Sequence, residues 1–213
     1  GSALSLSGAA YQGVFKNPLV APDLLGVSSG ACVGASVAIL LHLNSFGVQA
    51  MAFVAGILAV GLTLFIPRLI KNTNMTMLVL SGIIVKGIMD SVMGIIKYVA
   101  DPETELQSIT YWQLGSLTKV LPRDLFTVGP VIIAASVIIF LLRWRINILS
   151  LGDREAKTLG VSVTVVRNFI IICATLLTAS AVCISGTIGW IGLVIPHFAR
   201  MLTGPDNTKA IPA

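Results

Sequence analysis

Residues Arg143–Arg167 read RWRINILSLGDREAKTLGVSVTVVR. This segment contains five of the fourteen Lys and Arg residues of the chain, and uncharged runs flank it at Leu125–Leu142 and Asn168–Ala199. A charged segment between two runs long enough to cross a bilayer is typical of a loop at a membrane surface. Its excess of basic residues predicts that the loop lies on the cytoplasmic side.

The middle of this loop, Gly152–Gly160, has the composition of a short capped helix. Asp153 lies near its start and Gly160 at its end, which is the pattern of helix capping. Three residues offer an apolar side: Leu151, Ala156 and Leu159. We interpret the segment as a docking element for a cytoplasmic partner. The alternative is a solvated loop that only turns the chain.

Composition indicates a polytopic membrane protein. The chain is 55% hydrophobic and 11% charged, with a mean hydropathy of +0.93, whereas soluble domains contain about 25% charged residues. The net charge of +5 then reflects the positive-inside bias and does not predict nucleic-acid binding. The three cysteines lie in apolar runs without metal-ligand spacing, which favours packing roles. The chain opens inside an apolar stretch without Met, so we expect a fragment that lacks flanking spans.

Apolar runs predict an all-α bundle of about six full spans and one partial span, in a single transmembrane domain over residues 1–213. The runs are span A at Ala3–Val14 (partial), B at Leu24–Leu41, C within Leu43–Pro67, D at Met75–Val99, E at Leu125–Leu142, and F and G on either side of a break at Ser185–Gly189. A short surface helix is expected within Leu106–Val120.

Basic residues alternate consistently between the two membrane sides. One side holds ten: Lys16, Arg68, Lys71, the five of the opening segment, Arg200 and Lys209. The other side holds three: Lys97, Lys119 and Arg123. The larger group is predicted to be cytoplasmic.

A weak internal repeat is also present. When the chain is shifted by 178 residues (180 minus 2), Ser7-Gly8 matches Ser185-Gly186, and Pro18 matches Pro196. Five spans separate the two copies, so they would have opposite orientations. Inverted repeats with Gly- and Pro-interrupted segments are typical of transporters.

Several short motifs bear on the chemistry that this chain could perform. Gly26–Gly30 matches G-x-S-x-G, but it opens an apolar helix and lacks the preceding strand that a hydrolase elbow needs. We interpret Gly26, Gly30 and Gly34 as a small-residue ridge for helix packing. The sequence contains neither a P-loop motif nor H-E-x-x-H, so it predicts no ATP site, no metal site and no catalytic residue in this chain.

Span D contains charged residues that are costly in a membrane. Lys86, Asp90, Met93 and Lys97 recur at spacings that place them on one helical face. Each charge within a span costs about 2.5–3.5 kcal/mol on insertion scales, so this face should contact protein or water. It either lines a solute pathway or contains a self-neutralising Lys86–Asp90 pair buried between helices.

Four segments in order along the chain resemble a known family. They are KNPLVAPDLLGVSSGA at Lys16–Ala31, YWQLGSLT at Tyr111–Thr118, LGDREAKTLGV at Leu151–Val161 and SGTIGWIGLVIPHFARMLTGPD at Ser185–Asp206. Together they closely resemble the permease subunit of ABC importers for iron–siderophores, haem and cobalamin, the FecCD/BtuC-like family. The resemblance covers essentially the whole chain.

This resemblance implies a BtuC-like (type II ABC importer) transmembrane bundle with an inverted repeat, whose first and last helices lie outside this chain. It implies a bacterial inner-membrane location, a second permease copy in a homo- or heterodimer, an ATPase subunit that binds ATP and Mg²⁺, and a periplasmic or lipid-anchored binding protein. By the same resemblance, Gly152–Gly160 is the coupling loop that docks on the ATPase: Gly152, Asp153, Arg154, Glu155, Ala156, Leu159 and Gly160. Asn17, Pro18 and Leu19 match the cytoplasmic gate.

Span D matches the family helix that lines the pathway, but that helix is normally apolar, so Lys86 and Asp90 depart from the pattern. An ion-coupled secondary transporter that uses this pair is the alternative function. A secondary transporter does not need a charged docking loop, and the charged face of span D disfavours a purely structural scaffold.

Overall fold

The structure is a computed structural model, and it describes residues 1–72, 74–118, 120–204 and 206–212. These residues form helices and connecting turns, with no strand among them. The helices are α1 (Ser2–Phe15), a 3-10 turn (Pro22–Leu25), α2 (Val27–Leu40), α3 (Ser45–Leu69), α4 (Met75–Val99), α5 (Glu105–Leu114), α6 (Pro122–Leu151), α7 (Asp153–Thr158), α8 (Val163–Ser185), α9 (Ile191–Thr203) and α10 (Asn207–Ala210). Lys119, which the charge count assigned to the external side, lies outside the described residues.

Four of the six expected full spans have the length and hydropathy to cross a membrane: α3, α4, α6 and α8. The other two, α2 and α9, are apolar but shorter. The run predicted as span B begins within the 3-10 turn, and the carboxylate of Asp23 accepts a hydrogen bond from the Ser28 N–H at 2.9 Å. Gly26, with a φ of 80°, is the N-cap residue of α2. Helix α2 therefore starts later than predicted.

The described chain divides into two compact units. Unit 1 comprises residues 1–22, 129–178 and 189–213, and unit 2 comprises residues 23–128 and 179–188. Helices α6 and α8 each contain residues of both units. The expectation of one transmembrane domain over residues 1–213 stays a prediction.

In unit 2, small residues bring α2 and α3 into close contact. A Cβ atom on Gly30 would lie 2.5 Å from the Ala59 Cβ, and one on Gly34 would lie 2.3 Å from the Met51 carbonyl oxygen. Gly30 and Gly34 thus occupy positions where only hydrogen fits, as a small-residue ridge requires. Gly26 lies before the helix, so it is not part of this ridge.

In unit 1, α1 is held by buried hydroxyl groups and by a close backbone approach. The Ser7 Oγ lies 2.6 Å from the Thr178 Oγ1, and the Tyr11 hydroxyl lies 2.9 Å from the Thr175 Oγ1. These pairs satisfy polar groups that would be costly to bury alone. Gly8 packs directly against the backbone of Gly192 in α9. A Cβ atom added to Gly8 would lie 1.8 Å from the Gly192 carbonyl oxygen.

The segments matched by the 178-residue shift do not share secondary structure. Ser7 and Gly8 lie inside α1, whereas Ser185 ends α8 and Gly186 begins the break before α9. Pro18 lies in a loop, and Pro196 lies inside α9. This alignment therefore does not describe a structural repeat.

Candidate functional site

The predicted coupling segment contains a short helix, α7, with a well-defined C-terminal cap. The Gly160 N–H donates to the Lys157 carbonyl at 3.0 Å, and the Val161 N–H donates to the Ala156 carbonyl at 3.0 Å. This is the Schellman pattern, which needs a residue with left-handed backbone. Gly160 has a φ of 75°, so it ends the helix in the way the sequence predicts.

Asp153 is not a capping residue, contrary to the sequence interpretation. Gly152 is the N-cap of α7, and no side-chain hydrogen bond caps the helix. The Asp153 carboxylate instead pairs with two cations. Arg167 Nη2 lies 2.8 Å from both carboxylate oxygens, and Lys16 Nζ lies 2.9 Å from Oδ1. The carboxylate is drawn to full positive charges, which attract it more strongly than the partial charge of a one-turn helix.

The two ion pairs differ in exposure. The Arg167 side chain is 11% exposed, whereas the Lys16 side chain is 34% exposed. Arg167 Nε is buried without a hydrogen-bond partner, so this guanidinium depends on Asp153 for its described side-chain contacts. The Arg167 pair has two hydrogen bonds and one largely buried partner, so it is expected to be the stronger of the two.

Hydrogen bonds from Arg167, and secondarily from Lys16, hold the pKa of the Asp153 carboxyl below its usual range. Because the folded-state pKa is depressed, the ionised carboxylate stabilises the fold above its unfolded pKa of about 4. That stabilisation is lost as the pH falls through the folded-state pKa. Asp153 is therefore ionised at physiological pH.

The apolar residues of the segment do not form one exposed side. Ala156 is fully buried inside its own chain, while Leu151 and Leu159 are 65% and 59% exposed. The prediction that Ala156 and Leu159 together form the centre of a partner contact is therefore wrong for Ala156. A six-residue helix needs a buried face to stay on the protein, and Ala156 supplies that face. Arg154, Glu155, Lys157 and Leu159 remain exposed for docking.

The predicted gate segment, Asn17–Leu19, is an exposed compact turn. The Asn17 side-chain oxygen accepts the Leu19 N–H at 2.9 Å, and the Asn17 carbonyl accepts the Val20 N–H at 3.2 Å. Lys16, immediately before it, has a left-handed backbone with a φ of 53°. The structure therefore brings the predicted gate and the predicted coupling segment together through Lys16 and Asp153.

Gln12 supports the gate from inside unit 1, a role that the sequence analysis did not predict. Its side-chain amide donates to the Val20 carbonyl at 3.2 Å, and its side-chain oxygen accepts a hydrogen bond from Arg200. Gln12 is 4% exposed. A glutamine inside an apolar run is the one sequence signal that points to such a contact, because buried amides need partners.

The four residues singled out on α4 do not share one environment. Lys86 Nζ pairs with the Asp23 carboxylate at 3.0 Å, so the alternative of a self-neutralising Lys86–Asp90 pair buried between helices is wrong. Asp90 is exposed. Met93 is buried, and its sulfur accepts a hydrogen bond from the Ser36 hydroxyl at 3.4 Å.

Lys97 is half-buried and donates to the Gln113 side chain at 2.6 Å. The structure thus separates Lys86 and Asp90, on the exposed part of α4, from Met93 and Lys97, which pack within unit 2. Buried and exposed residues occur in both halves of α4, and helical spacing alone cannot indicate which of these four residues is covered.

The four long apolar helices indicate a multi-pass α-helical membrane protein. The chain belongs to the FecCD transport family, which it matches over residues 1–213. The resemblance seen in the sequence is confirmed.

Two relatives and one solved structure illustrate the similarity. The chain is 36% identical over its whole length to the molybdate import system permease protein MolB of Haemophilus influenzae, of which it covers 63%. It is 39% identical over 99% of its length to a probable iron chelatin transport system permease protein of Helicobacter pylori, of which it covers 64%. It thus spans less than two thirds of either relative.

The solved structure is an inward-facing metal-chelate type ABC transporter. The TM-score is 0.94 at 35% identity, covering 99% of this chain and 67% of the other. This match confirms the all-α metal-chelate permease fold.

Proposed function

We propose that this chain is part of the membrane-spanning permease subunit of an ABC importer. The importer moves a metal chelate, such as a ferric siderophore, haem or cobalamin, or a metal oxyanion across the bacterial cytoplasmic membrane. ATP hydrolysis in a partner subunit powers the movement, and that subunit binds ATP and Mg²⁺. The permease itself binds no cofactor.

The observation that supports this proposal best is the construction of α7. It is a one-turn helix fixed to its own chain by Ala156 and Asp153, and it presents Arg154, Glu155 and Lys157 to solvent. A chain that only turns at the membrane surface has no need of a helix held so firmly with its charges outward. An ion-coupled secondary transporter has no need of it either, so the ABC class is favoured.

The substrate pathway is assigned to the exposed part of α4. Lys86 and Asp90 lie there, so both are retained as pathway residues. Met93 and Lys97 are reassigned to internal packing, because their side chains contact Ser36 and Gln113. A lysine that is already neutralised by Asp23 costs less to place in a membrane than an isolated charge.

The partners follow from the same proposal. The ATPase binds α7 on the cytoplasmic side, a second permease copy completes the pathway, and a periplasmic or lipid-anchored binding protein delivers substrate on the other side. The lipid bilayer covers the remaining apolar surface.

The proposal is tested by uptake in cells that produce the full-length permease with its ATPase and binding protein. Radiolabelled molybdate, ferric siderophore, haem and cobalamin are supplied separately. We expect uptake of one class, abolished by replacing the P-loop lysine of the ATPase and unaffected by a protonophore while ATP is maintained. Uptake that persists without ATP hydrolysis but stops with the protonophore would establish a secondary transporter instead.

Orientation gives a separate prediction. Glu155 and Glu103 are both exposed and lie on loops assigned to opposite membrane sides, while the three native cysteines of this chain are buried. We expect Glu103→Cys to react with an impermeant thiol reagent in intact spheroplasts and Glu155→Cys to react only after lysis. The reverse labelling pattern would invert the topology.

A further inference from the structure

One carboxylate, that of Asp153, joins three parts of unit 1. It belongs to α7, and its two cationic partners come from elsewhere in the sequence. Lys16 lies 137 positions away, next to the gate segment, and Arg167 lies 14 positions away in α8. The Lys16 Nζ and the Arg167 Nη2 each lie within 2.9 Å of an Asp153 carboxylate oxygen.

We propose that Asp153 is a positioning residue that connects the coupling helix α7 to the gate segment Asn17–Leu19 through Lys16. Movement of α7 by a bound ATPase would then be transmitted to the gate by this ion pair. The inference rests on the proposed function and adds the contact through which the two segments act on each other.

The Arg167 pair keeps Asp153 oriented. Both carboxylate oxygens are engaged at 2.8 Å by one guanidinium nitrogen on a side chain that is 11% exposed. These two charge-assisted hydrogen bonds from a largely buried guanidinium fix the direction of the carboxylate, although Asp153 itself is 47% exposed. Asp153 therefore moves with α7 and the start of α8, and it presents Oδ1 to Lys16.

The Lys16 pair is suited to transmit a displacement without contributing much to stability. The Lys16 side chain is 34% exposed and the Asp153 side chain is 47% exposed. Ion pairs between exposed side chains contribute little to the free energy of folding. The pair with Asp153 is the only ion pair of Lys16 within the described part of the chain. Loss of this contact should therefore alter gate position before it alters stability.

The gate side of the contact is short and stiff. Lys16 directly precedes Asn17, whose N–H donates to the Gln12 carbonyl at 3.2 Å and whose side chain closes the turn onto Leu19. Since these hydrogen bonds hold the turn together, a pull on Lys16 displaces the whole gate segment. A longer or open loop would absorb the displacement.

The test uses the full-length permease reconstituted with its ATPase. Leu19, 79% exposed, is replaced by Cys and labelled with an environment-sensitive fluorophore. Mg-ATP is the probe, and both the fluorescence change and the ATP hydrolysis rate are measured. We expect Lys16→Met to lower the ATP-induced fluorescence change by about fivefold or more, the lower range for coupling between sites, while hydrolysis stays close to wild type.

Three variants control the interpretation. Lys16→Arg keeps the ion pair and should restore the response. Lys71→Met removes a lysine that also has a left-handed backbone, with a φ of 54°, and that makes no ion pair among the described residues, so its response should equal that of the wild type. Lys16→Met combined with Asp153→Asn should be no worse than Asp153→Asn alone, because both remove the same contact.

A Lys16→Met response equal to that of the wild type would overturn the inference. Loss of hydrolysis in parallel with the fluorescence change would also overturn it, because Lys16 would then act in assembly with the ATPase. An unmodified permease that neither binds the ATPase nor stimulates hydrolysis would overturn the proposed function, and this inference with it.

Discussion

Leu159→Glu is expected to abolish the stimulation of ATP hydrolysis while the permease still inserts and dimerises. Leu159, the C-cap residue of α7, is 59% exposed, and Ala156 already occupies the buried face of that helix. Leu159 is therefore an apolar side chain that remains available to the ATPase. A charge at the centre of a packed contact costs about 2 kcal/mol or more, which corresponds to about thirtyfold in affinity. The surrounding charges of α7 are exposed and should contribute much less.

The measurement is ATP hydrolysis by the reconstituted complex, with and without binding protein. Leu159→Met keeps an apolar side chain of similar volume and should behave as the wild type. If the Leu159→Glu complex is stimulated as strongly as the wild type, α7 is only a tether, and the interpretation of this segment as a docking element is wrong.

Gly8→Ala is expected to cause a large loss of stability for the addition of a single methyl group. The added Cβ would lie 1.8 Å from the carbonyl oxygen and 2.7 Å from the carbonyl carbon of Gly192. Both are backbone atoms, which cannot rotate away as a side chain does. Helices α1 and α9 would have to separate, and overpacking of this kind costs about 3 kcal/mol, the upper part of its usual range.

The matched control is Gly61→Ala in α3, where an added Cβ meets nothing within 4 Å. Because alanine has the higher helix propensity by up to about 1 kcal/mol, this variant should be neutral or slightly stabilising. Apparent melting temperatures are compared in one detergent at one scan rate, since membrane-protein unfolding is often irreversible. Equal values for the two variants would show that the α1–α9 contact is looser than the structure indicates.

Much of the helical layout was predictable because it depends on local composition. The predicted limits of span D, Met75 and Val99, coincide with those of α4. The break at Ser185–Gly189 separates α8 from α9, and α7 lies within Gly152–Gly160. Hydropathy, charge and glycine positions indicate whether a segment can form a buried helix. Which residues pack against that helix in space has little effect on whether it forms.

The candidate site was predictable only as a set of separate segments. The sequence pointed to Asn17–Leu19 and Gly152–Gly160, but no spacing rule links Lys16 to Asp153 across 137 positions. The capping pattern predicted a local role for Asp153 at the start of its own helix. Its carboxylate instead pairs with the cations Lys16 and Arg167. Likewise, helical spacing paired Lys86 with Asp90, whereas the ion pair formed is with Asp23, 63 positions earlier.

The sequence by itself determined the class of protein, the approximate positions of the long helices and the family, because apolar run length, basic-residue distribution and motif order are properties of the chain alone. It did not determine every helix end, since span E was predicted to end at Leu142, whereas α6 continues to Leu151. Only the tertiary structure decided which side of each helix is covered. Ala156 is buried and holds the segment against its own chain, whereas Leu159 is exposed, although both lie in the same short segment. Burial and charge pairing depend on which distant residues pack against a side chain, and a one-dimensional pattern does not contain that information.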